Sequence, residues 1–258
     1  MLSTSSTASN CGTGTLEEDE GEECDDGNTT NGDGCSSACK NETTCAIENG
    51  AHAQAYLVTD GDTIRVKILN DGSCNASKYL GIRLHGVDAP ECLKKATESP
   101  IDKNYNQANA CDASQAKDFS DLNKNEPLGA KAQEIMNAMI FSEENKGIVE
   151  IECETTSATD ATCLTDATNA RFLAYLKIKK DGQYIDPVEE LIRQGYAFAN
   201  TAFTTQRMSA YCAAEAEARQ AKAGVWALAD SPDAVLKQFG SDKQSWLLHA
   251  SHNSICKF

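Results

Sequence analysis

The chain has 258 residues, of which 40% are hydrophobic, and carries a formal net charge of −16. This length allows one large domain or two, and the hydrophobic share is enough for a buried core. No apolar run approaches the roughly 20 residues that span a bilayer, so the sequence predicts no membrane span. The acidic balance argues against a protein whose role is tight, sequence-independent binding of nucleic acid.

The negative charge is concentrated near the start of the chain. Residues 1–50 hold eleven acidic residues and one basic residue, a net charge of −10, whereas the remaining 208 hold 28 acidic and 22 basic residues, a net charge of −6. A bound divalent metal would neutralise part of that remainder. The distribution therefore suits an enzyme that turns its substrate over better than an architectural binder.

Twelve cysteines are a high count for this length and favour an oxidising compartment. Cys35 and Cys39 are spaced like a zinc-ligand pair, but no second pair follows at zinc-finger distance, so disulfides are the better interpretation. Residues 1–7 have neither the basic nor the apolar region of a signal peptide. We expect a secreted or cell-surface protein in a mature or shortened form.

The first predicted unit is small and rich in cysteine. Residues 1–10 are rich in Ser and Thr and predict a disordered linker. In the predicted module 11–45, residues 11–39 contain almost nothing apolar, so disulfides must stabilise them, and their four cysteines allow three connectivities. The four are Cys11, Cys24, Cys35 and Cys39. An acidic loop at residues 25–33 could bind Ca²⁺, although its spacing is not that of an EF-hand and a solvated turn is the simpler interpretation.

Two strands are predicted between residues 58 and 91, because apolar residues alternate there with polar ones. In the first, Ile64, Val66 and Ile68 alternate with basic residues. The second runs from Leu80 through Gly86 to Asp88-Ala89-Pro90-Glu91, where Pro90 lacks a backbone N–H and ends it. Carboxylates thus stand where one strand begins and the other ends.

The rest of the chain predicts three helices, two strands and a terminal extension. We expect an amphipathic helix over 128–142, a strand over 147–154, and a strand opened by Arg171 that ends in a hairpin turn at 179–182. A helix capped by Gly195 and a helix over 206–223 follow. Residues 229–258 suggest an extra helix or two tied down by Cys256. Local bridges are expected at Cys153–Cys163 and Cys92–Cys111, and His249 and His252 are expected at the surface.

The acidic strand ends suit one chemistry. Asp60, Asp62 and Asp88 offer oxygen ligands of the kind that Ca²⁺ prefers. Arg83 can hold a phosphate in bidentate fashion, and Glu91 can activate a water. An isolated Asp-Gly-Asp is more often a turn and an isolated Arg more often solvated. The whole constellation favours phosphodiester hydrolysis, because independent turns would not reproduce it.

These residues carry a family resemblance. D-G-D-T at 60–63 followed by R-L-H-G-V-D-A-P-E at 83–91 resembles the staphylococcal nuclease (thermonuclease) family. Further blocks follow in family order over about residues 53–226. They are Gly129–Ala132, Arg171–Tyr175 (similar to the family's R-x-L-A-Y), Leu191–Ala197 (L-I-R-Q-G-Y-A, similar to the family's L-V-R-Q-G-x-A) and Glu215–Trp226. The N-terminal module resembles a Cys-rich repeat of secreted and surface proteins of myxobacteria and their relatives.

The resemblance implies an α+β fold, with a five-stranded OB-type β-barrel and three helices over residues 53–228. It implies a monomeric, Ca²⁺-dependent nuclease that acts on DNA and/or RNA and leaves 3′-phosphates. Asp62, Asp88 and the backbone carbonyl of Ala89 match the metal ligands, and Asp60 matches a nearby acid. Glu91 matches the glutamate that orients or deprotonates the attacking water, and Arg83 and Arg171 match the two arginines that grip the phosphate.

Some positions depart from the family pattern. Thr201 and Phe203 occupy the neighbourhood of the base-stacking tyrosines, which bears on nucleotide affinity and base preference. One alternative is a non-catalytic OB-fold module that binds nucleic acid by stacking. Such modules typically lack one or more of the acids and arginines, all of which are present here. Another alternative gives the Cys-rich repeat the main role, in adhesion or processing.

Overall fold

Strands of alternating buried and exposed residues form the centre of the structure, a computed structural model. They are β1 (His52–Val58), β2 (Thr63–Ile68), β3 (Leu80–Leu84), β4 (Val87–Asp88), β5 (Ile148–Cys153), β6 (Leu164–Asp166), β7 (Arg171–Lys180), β8 (Gln183–Ile185) and β9 (Phe198–Ala199). The main sheet has the order β3-β2-β1-β5-β7-β6, and β3 also pairs with β7, so five strands close into a barrel. The expected OB-type fold is confirmed.

The structure describes residues 11–15, 22, 25, 27–29, 37, 39, 46–69, 80–92, 126–154, 162–166, 171–240 and 250–257. The chain divides into a smaller unit, Met1–Ile47 with Asn70–Lys78, and a larger one, Glu48–Leu69 with Tyr79–Phe258. The barrel belongs to the larger unit.

The pair β3–β7 closes the barrel and is parallel, with Ile82 opposite Phe172 and Leu84 opposite Ala174. The pairs β1–β2, β1–β5, β2–β3 and β5–β7 are antiparallel. Alternate residues of the barrel strands are buried, as the period-two pattern predicts. These buried residues include Ala53, Ala55, Ile64, Val66, Ile82, Leu84, Val149, Ile151, Ala174 and Leu176.

Helices cover the barrel. They are α1 (Gly129–Ile140), α2 (Pro187–Arg193), α3 (Met208–Ala221), α4 (Pro232–Gly240) and α5 (Ala250–Cys256), with a 3₁₀ turn at Gly224–Ala227. α1 buries Ala132, Met136 and Ile140, the face that its sequence predicts. α2 begins at Asp186, whose carboxylate accepts a hydrogen bond of 2.8 Å from the backbone N–H of Val188.

The second predicted strand is interrupted, which corrects the expectation of one continuous run to Asp88. Gly86 has φ of +74°, a left-handed conformation that glycine adopts without a steric penalty. After this turn the chain forms β4, in which Asp88 pairs with Phe198 and Val87 with Ala199 of β9. Asp88 therefore lies in a separate two-stranded sheet formed by β4 and β9.

Disulfides join distant parts of the chain. The expected bridge Cys153–Cys163 is confirmed. Cys256 is bonded to Cys212 of α3, and Cys11 to Cys39 in the smaller unit. Cys92 is disulfide-bonded as well. Disulfides of this kind are typical of an oxidising compartment.

In the smaller unit, Asp25 is an acceptor for backbone N–H groups. Its Oδ1 accepts from Gly27 at 2.8 Å and Gly14 at 3.0 Å, and its Oδ2 from Thr13 at 3.0 Å and Gly12 at 3.1 Å. These hydrogen bonds, chiefly the one from Gly27, lower the pKa of Asp25. Asp25 therefore holds together the backbone of a turn in the smaller unit.

Among the helices of the described residues, none has both the length and the apolarity to cross a membrane. Several expectations concern residues outside the described part: the linker at 1–10, the loop after Cys92 with Cys111, and His249. The pairing Cys92–Cys111 therefore stays a prediction.

Candidate active site

Asp62 lies directly before β2 and connects it to the segment after β4. The turn that holds it is closed by a hydrogen bond of 2.8 Å from the N–H of Thr59 to the carbonyl of Thr63. The Oδ2 atom of Asp62 accepts from the backbone N–H of Ala89 at 2.8 Å, and its Oδ1 accepts from the hydroxyl of Thr63 at 3.1 Å. Asp62 is buried, so these bonds fix its carboxylate against the Asp88–Ala89 segment.

Arg83 of β3 lies between two carboxylates. Its Nη1 is 2.5 Å from Asp62 Oδ1, and its Nη2 is 3.1 Å from Asp88 Oδ1. Burial alone would lower the pKa of Arg83, but the charges of Asp62 and Asp88 outweigh burial and raise that pKa above its ordinary value. The guanidinium therefore stays charged and supplies positive charge between Asp62 and Asp88.

The cluster carries more negative than positive charge. Burial and the neighbouring charges of Asp62 and Glu91 raise the pKa of Asp60 well above its ordinary value. Asp60 also accepts from the backbone N–H of Asp62 at 3.2 Å, which ties the two acids together. Asp62 and Asp88, on either side of Arg83 and with Asp60 beside Asp62, offer oxygen ligands of the kind that a hard divalent cation such as Ca²⁺ prefers.

Glu91 is held by its backbone at the edge of this cluster. Its N–H donates to Oε2 of Glu126 at 2.6 Å, and its carbonyl accepts from the N–H of Glu126 at 3.0 Å. Its side chain is exposed, and its charge acts on both Asp60 and Arg83. A fixed backbone with a solvent-facing carboxylate suits a residue that handles water.

The first residue of α1 lies against Glu91, which gives a test of this placement. A Cβ atom on Gly129 would lie 2.1 Å from the carbonyl oxygen of Glu91. Alanine ordinarily stabilises a helix by about 1 kcal/mol relative to glycine. We expect Gly129→Ala instead to lower both the melting temperature and kcat, because the clash displaces Glu91.

The control is Ala130→Gly at the next position, which weakens the helix without approaching Glu91. It should lower the melting temperature and leave kcat within about twofold. A Gly129→Ala protein with raised stability and full activity would contradict the placement of Glu91.

Arg171 opens β7 on the same barrel face as Arg83. Arg83 stands opposite Leu173, two residues along β7 from Arg171, and side chains two apart in a strand share a face. A Cβ atom on Gly81 would lie 3.1 Å from Cγ of Arg171, so this side chain crosses β3 where glycine leaves room. The predicted site residues thus lie on or directly before the barrel strands β2, β3 and β7, or on β4 and the segment that follows it.

A second set of residues beside the cluster was not predicted. Glu154 accepts from the N–H of Gln206 at 3.0 Å and from the hydroxyl of Tyr175, and it lies 3.7 Å from Nε2 of His85. Burial lowers the pKa of His85, against the opposing effect of Glu154. The His85 ring lies 6.2 Å from that of Phe203, whose side chain is 55% exposed. Glu154 directly follows β5, and the sequence pattern gave no sign that it would join Tyr175, His85 and Gln206.

A family model for staphylococcal nuclease homologues matches residues 81–228, which is more than half of the chain. The chain belongs to the staphylococcal nuclease family. The matched region contains Arg83, Asp88, Glu91 and Arg171, and the turn with Asp60 and Asp62 precedes it. Family membership supports a nuclease-like or nucleic-acid-binding domain.

Two further similarities accompany the nuclease-family match. A domain of unknown function (DUF4215) matches residues 2–40, which agrees with a Cys-rich module there. A segment of 32 residues is 62% identical to pappalysin-1 of Mus musculus and makes up 12% of this chain. The chain spans about 2% of the length of that relative.

Proposed function

We propose that the protein is a Ca²⁺-dependent nuclease that hydrolyses phosphodiester bonds of DNA and/or RNA and leaves 3′-phosphates. The observation that carries the proposal is the position of Arg83 between Asp62 and Asp88, with Glu91 fixed beside them. A non-catalytic binding module would have no need of this complete set.

Each residue has a role that follows from its chemistry. Asp62, Asp88 and the backbone carbonyl of Ala89 would bind the ion, with Asp60 behind them. Bound Ca²⁺ would supply positive charge to the phosphate. Glu91 orients the attacking water or takes its proton. Arg83 and Arg171 donate hydrogen bonds to the phosphate oxygens, where charge accumulates in the transition state.

The surroundings of the cluster support a nucleic-acid substrate. Phe203 exposes an aromatic face on which a base can stack, and a base–aromatic contact contributes about 1–3 kcal/mol of affinity. The proposal also includes a secreted or cell-surface location and action as a monomer. The disulfides support that location, because a reducing cytosol would not preserve them.

The test is the cleavage of single-stranded and plasmid DNA, and of single-stranded RNA, by the oxidised full-length protein with Ca²⁺, with EGTA, and with Asp62→Asn. We expect cutting that requires Ca²⁺ and falls by about 100-fold or more in the variant, because a charged ligand is lost. Product ends should resist polymerase extension until a phosphatase removes the 3′-phosphate.

Intact DNA and intact single-stranded RNA under every one of these conditions, from folded protein, would contradict the proposal. If the same protein retained DNA in a binding assay, the non-catalytic module would be the better interpretation. Extension of the products without phosphatase would overturn the 3′-phosphate assignment alone.

A further inference from the structure

His252 is a fully buried residue that the sequence led us to expect at the surface. It lies on α5, which the Cys212–Cys256 disulfide joins to α3. Both His252 and its neighbour Glu215 are 0% exposed. This segment follows the region that the nuclease family model matches, which ends at residue 228. Its periodicity gave no sign of burial.

His252 makes two contacts through its two ring nitrogens. Nε2 lies 2.9 Å from Oε1 of Glu215, and Nδ1 lies 3.1 Å from the hydroxyl of Thr201. Beside the Arg219 guanidinium, which is 2.6 Å from Oε1, Glu215 is a carboxylate and can only accept. Nε2 therefore donates to Glu215, and the hydroxyl of Thr201 is the partner of Nδ1.

Glu215 also binds the backbone of β9. Its Oε2 accepts from the backbone N–H of Ala199 at 2.8 Å. Ala199 and Phe198 pair with Val87 and Asp88 of β4. His252 thus acts on residues 199–201 at two points: it binds Thr201 directly, and it binds Glu215, which in turn binds Ala199. On its other edge, β9 pairs with β4, the strand that contains Asp88.

Removal of the His252 side chain leaves most of this arrangement in place. Glu215 keeps its ion pair with Arg219, which also lies 4.5 Å from the ring centre of Trp226. α5 keeps its disulfide to Cys212. The expected consequence is a looser β9, because Glu215 loses one of the donors that fix its orientation.

We propose that His252 is a positioning residue for the metal site: through Glu215 it fixes β9, and β9 holds Asp88 at its distance from Asp62. This inference rests on the proposed function, in which Asp88 is a calcium ligand. Residues that orient metal ligands typically change affinity or activity by about 10- to 100-fold when they are replaced. His252 does not contact Asp88 but acts on it through Glu215 and β9, so a smaller effect is expected.

The test is a calorimetric titration with Ca²⁺ alone of the full-length protein and of His252→Ala, His252→Gln and His252→Asn. We expect His252→Ala to bind Ca²⁺ about three- to tenfold more weakly, with KM for DNA within twofold at saturating Ca²⁺. Glutamine places an amide donor near the position of Nε2, whereas asparagine places one near Nδ1. Glutamine should restore calcium affinity to within about twofold, and asparagine should not.

A stability-matched control separates positioning from folding. Ile178→Val removes one methyl group from a buried position on β7, away from the cluster, at a cost of about 0.5–1.5 kcal/mol. At an equal loss of melting temperature, we expect it to bind Ca²⁺ as the unmodified protein does. Should the alanine variant fail to fold, the glutamine and asparagine variants give the same decision.

Two results would overturn the inference, and they differ in whether the proposed function still holds. Equal calcium affinity in the unmodified protein and all three His252 variants would remove the positioning role and leave the proposed function intact. An unmodified protein that binds no Ca²⁺, like its Asp62→Asn variant, would remove both.

Discussion

Replacing Glu91 by glutamine should lower kcat on single-stranded DNA by about 10²–10⁴-fold, with little change in stability. Glutamine keeps the size of the side chain but cannot accept a proton from water. The backbone of Glu91 is fixed by Glu126 and lies against Gly129, so the substitution should leave the geometry as it is. Initial rates at saturating Ca²⁺ measure the effect.

The matched control is Glu134→Gln, an exposed glutamate of α1 whose partner is Lys131. It removes the same charge at a distance from the cluster and should leave kcat unchanged. A Glu91→Gln enzyme within twofold of the unmodified rate would exclude Glu91 as the residue that handles water. Calorimetry with Ca²⁺ should meanwhile give similar affinities, since Glu91 is not among the proposed ligands.

Replacing Arg83 by methionine should have two separable effects. Loss of the guanidinium should lower kcat by about 10²–10³-fold, because a donor to the developing charge on the phosphate is removed. In EGTA it should also destabilise the protein by about 3 kcal/mol, since two buried carboxylates lose the cation between them.

Calcium distinguishes these two effects of Arg83→Met. A cation bound near Asp62 and Asp88 replaces the lost positive charge, so Ca²⁺ should raise the melting temperature of the variant more than that of the unmodified protein. It should not restore kcat. Arg193→Met is the control for loss of an arginine: its guanidinium pairs with Glu190 and Glu217 on the helices α2 and α3, and its loss should change neither quantity strongly. Equal calcium stabilisation in both proteins would contradict the pairing of Arg83 with the metal-binding acids.

The local patterns predicted the barrel strands that carry the site and the residues on them. Period-two alternation identified β2 and β3, and the acids at their ends gave Asp62 and Asp88. These predictions work because burial on one face repeats every second residue. The same pattern did not predict the turn at Gly86. Glycine is compatible with an apolar position of the alternating strand, so the alternation gives no sign of its left-handed conformation.

Other parts of the site depend on contacts between distant segments, which periodicity does not encode. β1 and β9 were not predicted, because no strand was predicted before residue 58 and β9 has only two residues, too few for an alternating pattern. Glu126 holds Glu91 from 35 residues further along the chain, and His252 reaches Glu215 from a separate helix. Each of these polar residues would be expected in solvent from its type alone.

The parallel pairing of β3 with β7 has a consequence for when the protein becomes active. Residues 82–84 must meet residues 172–174, so this contact closes a long loop and forms late and slowly during folding. Arg83 and Arg171 lie on the two strands that it joins. A chain in which this contact has not formed keeps Arg83 and Arg171 apart, so the proposed pair of phosphate-binding arginines is complete only after the barrel closes.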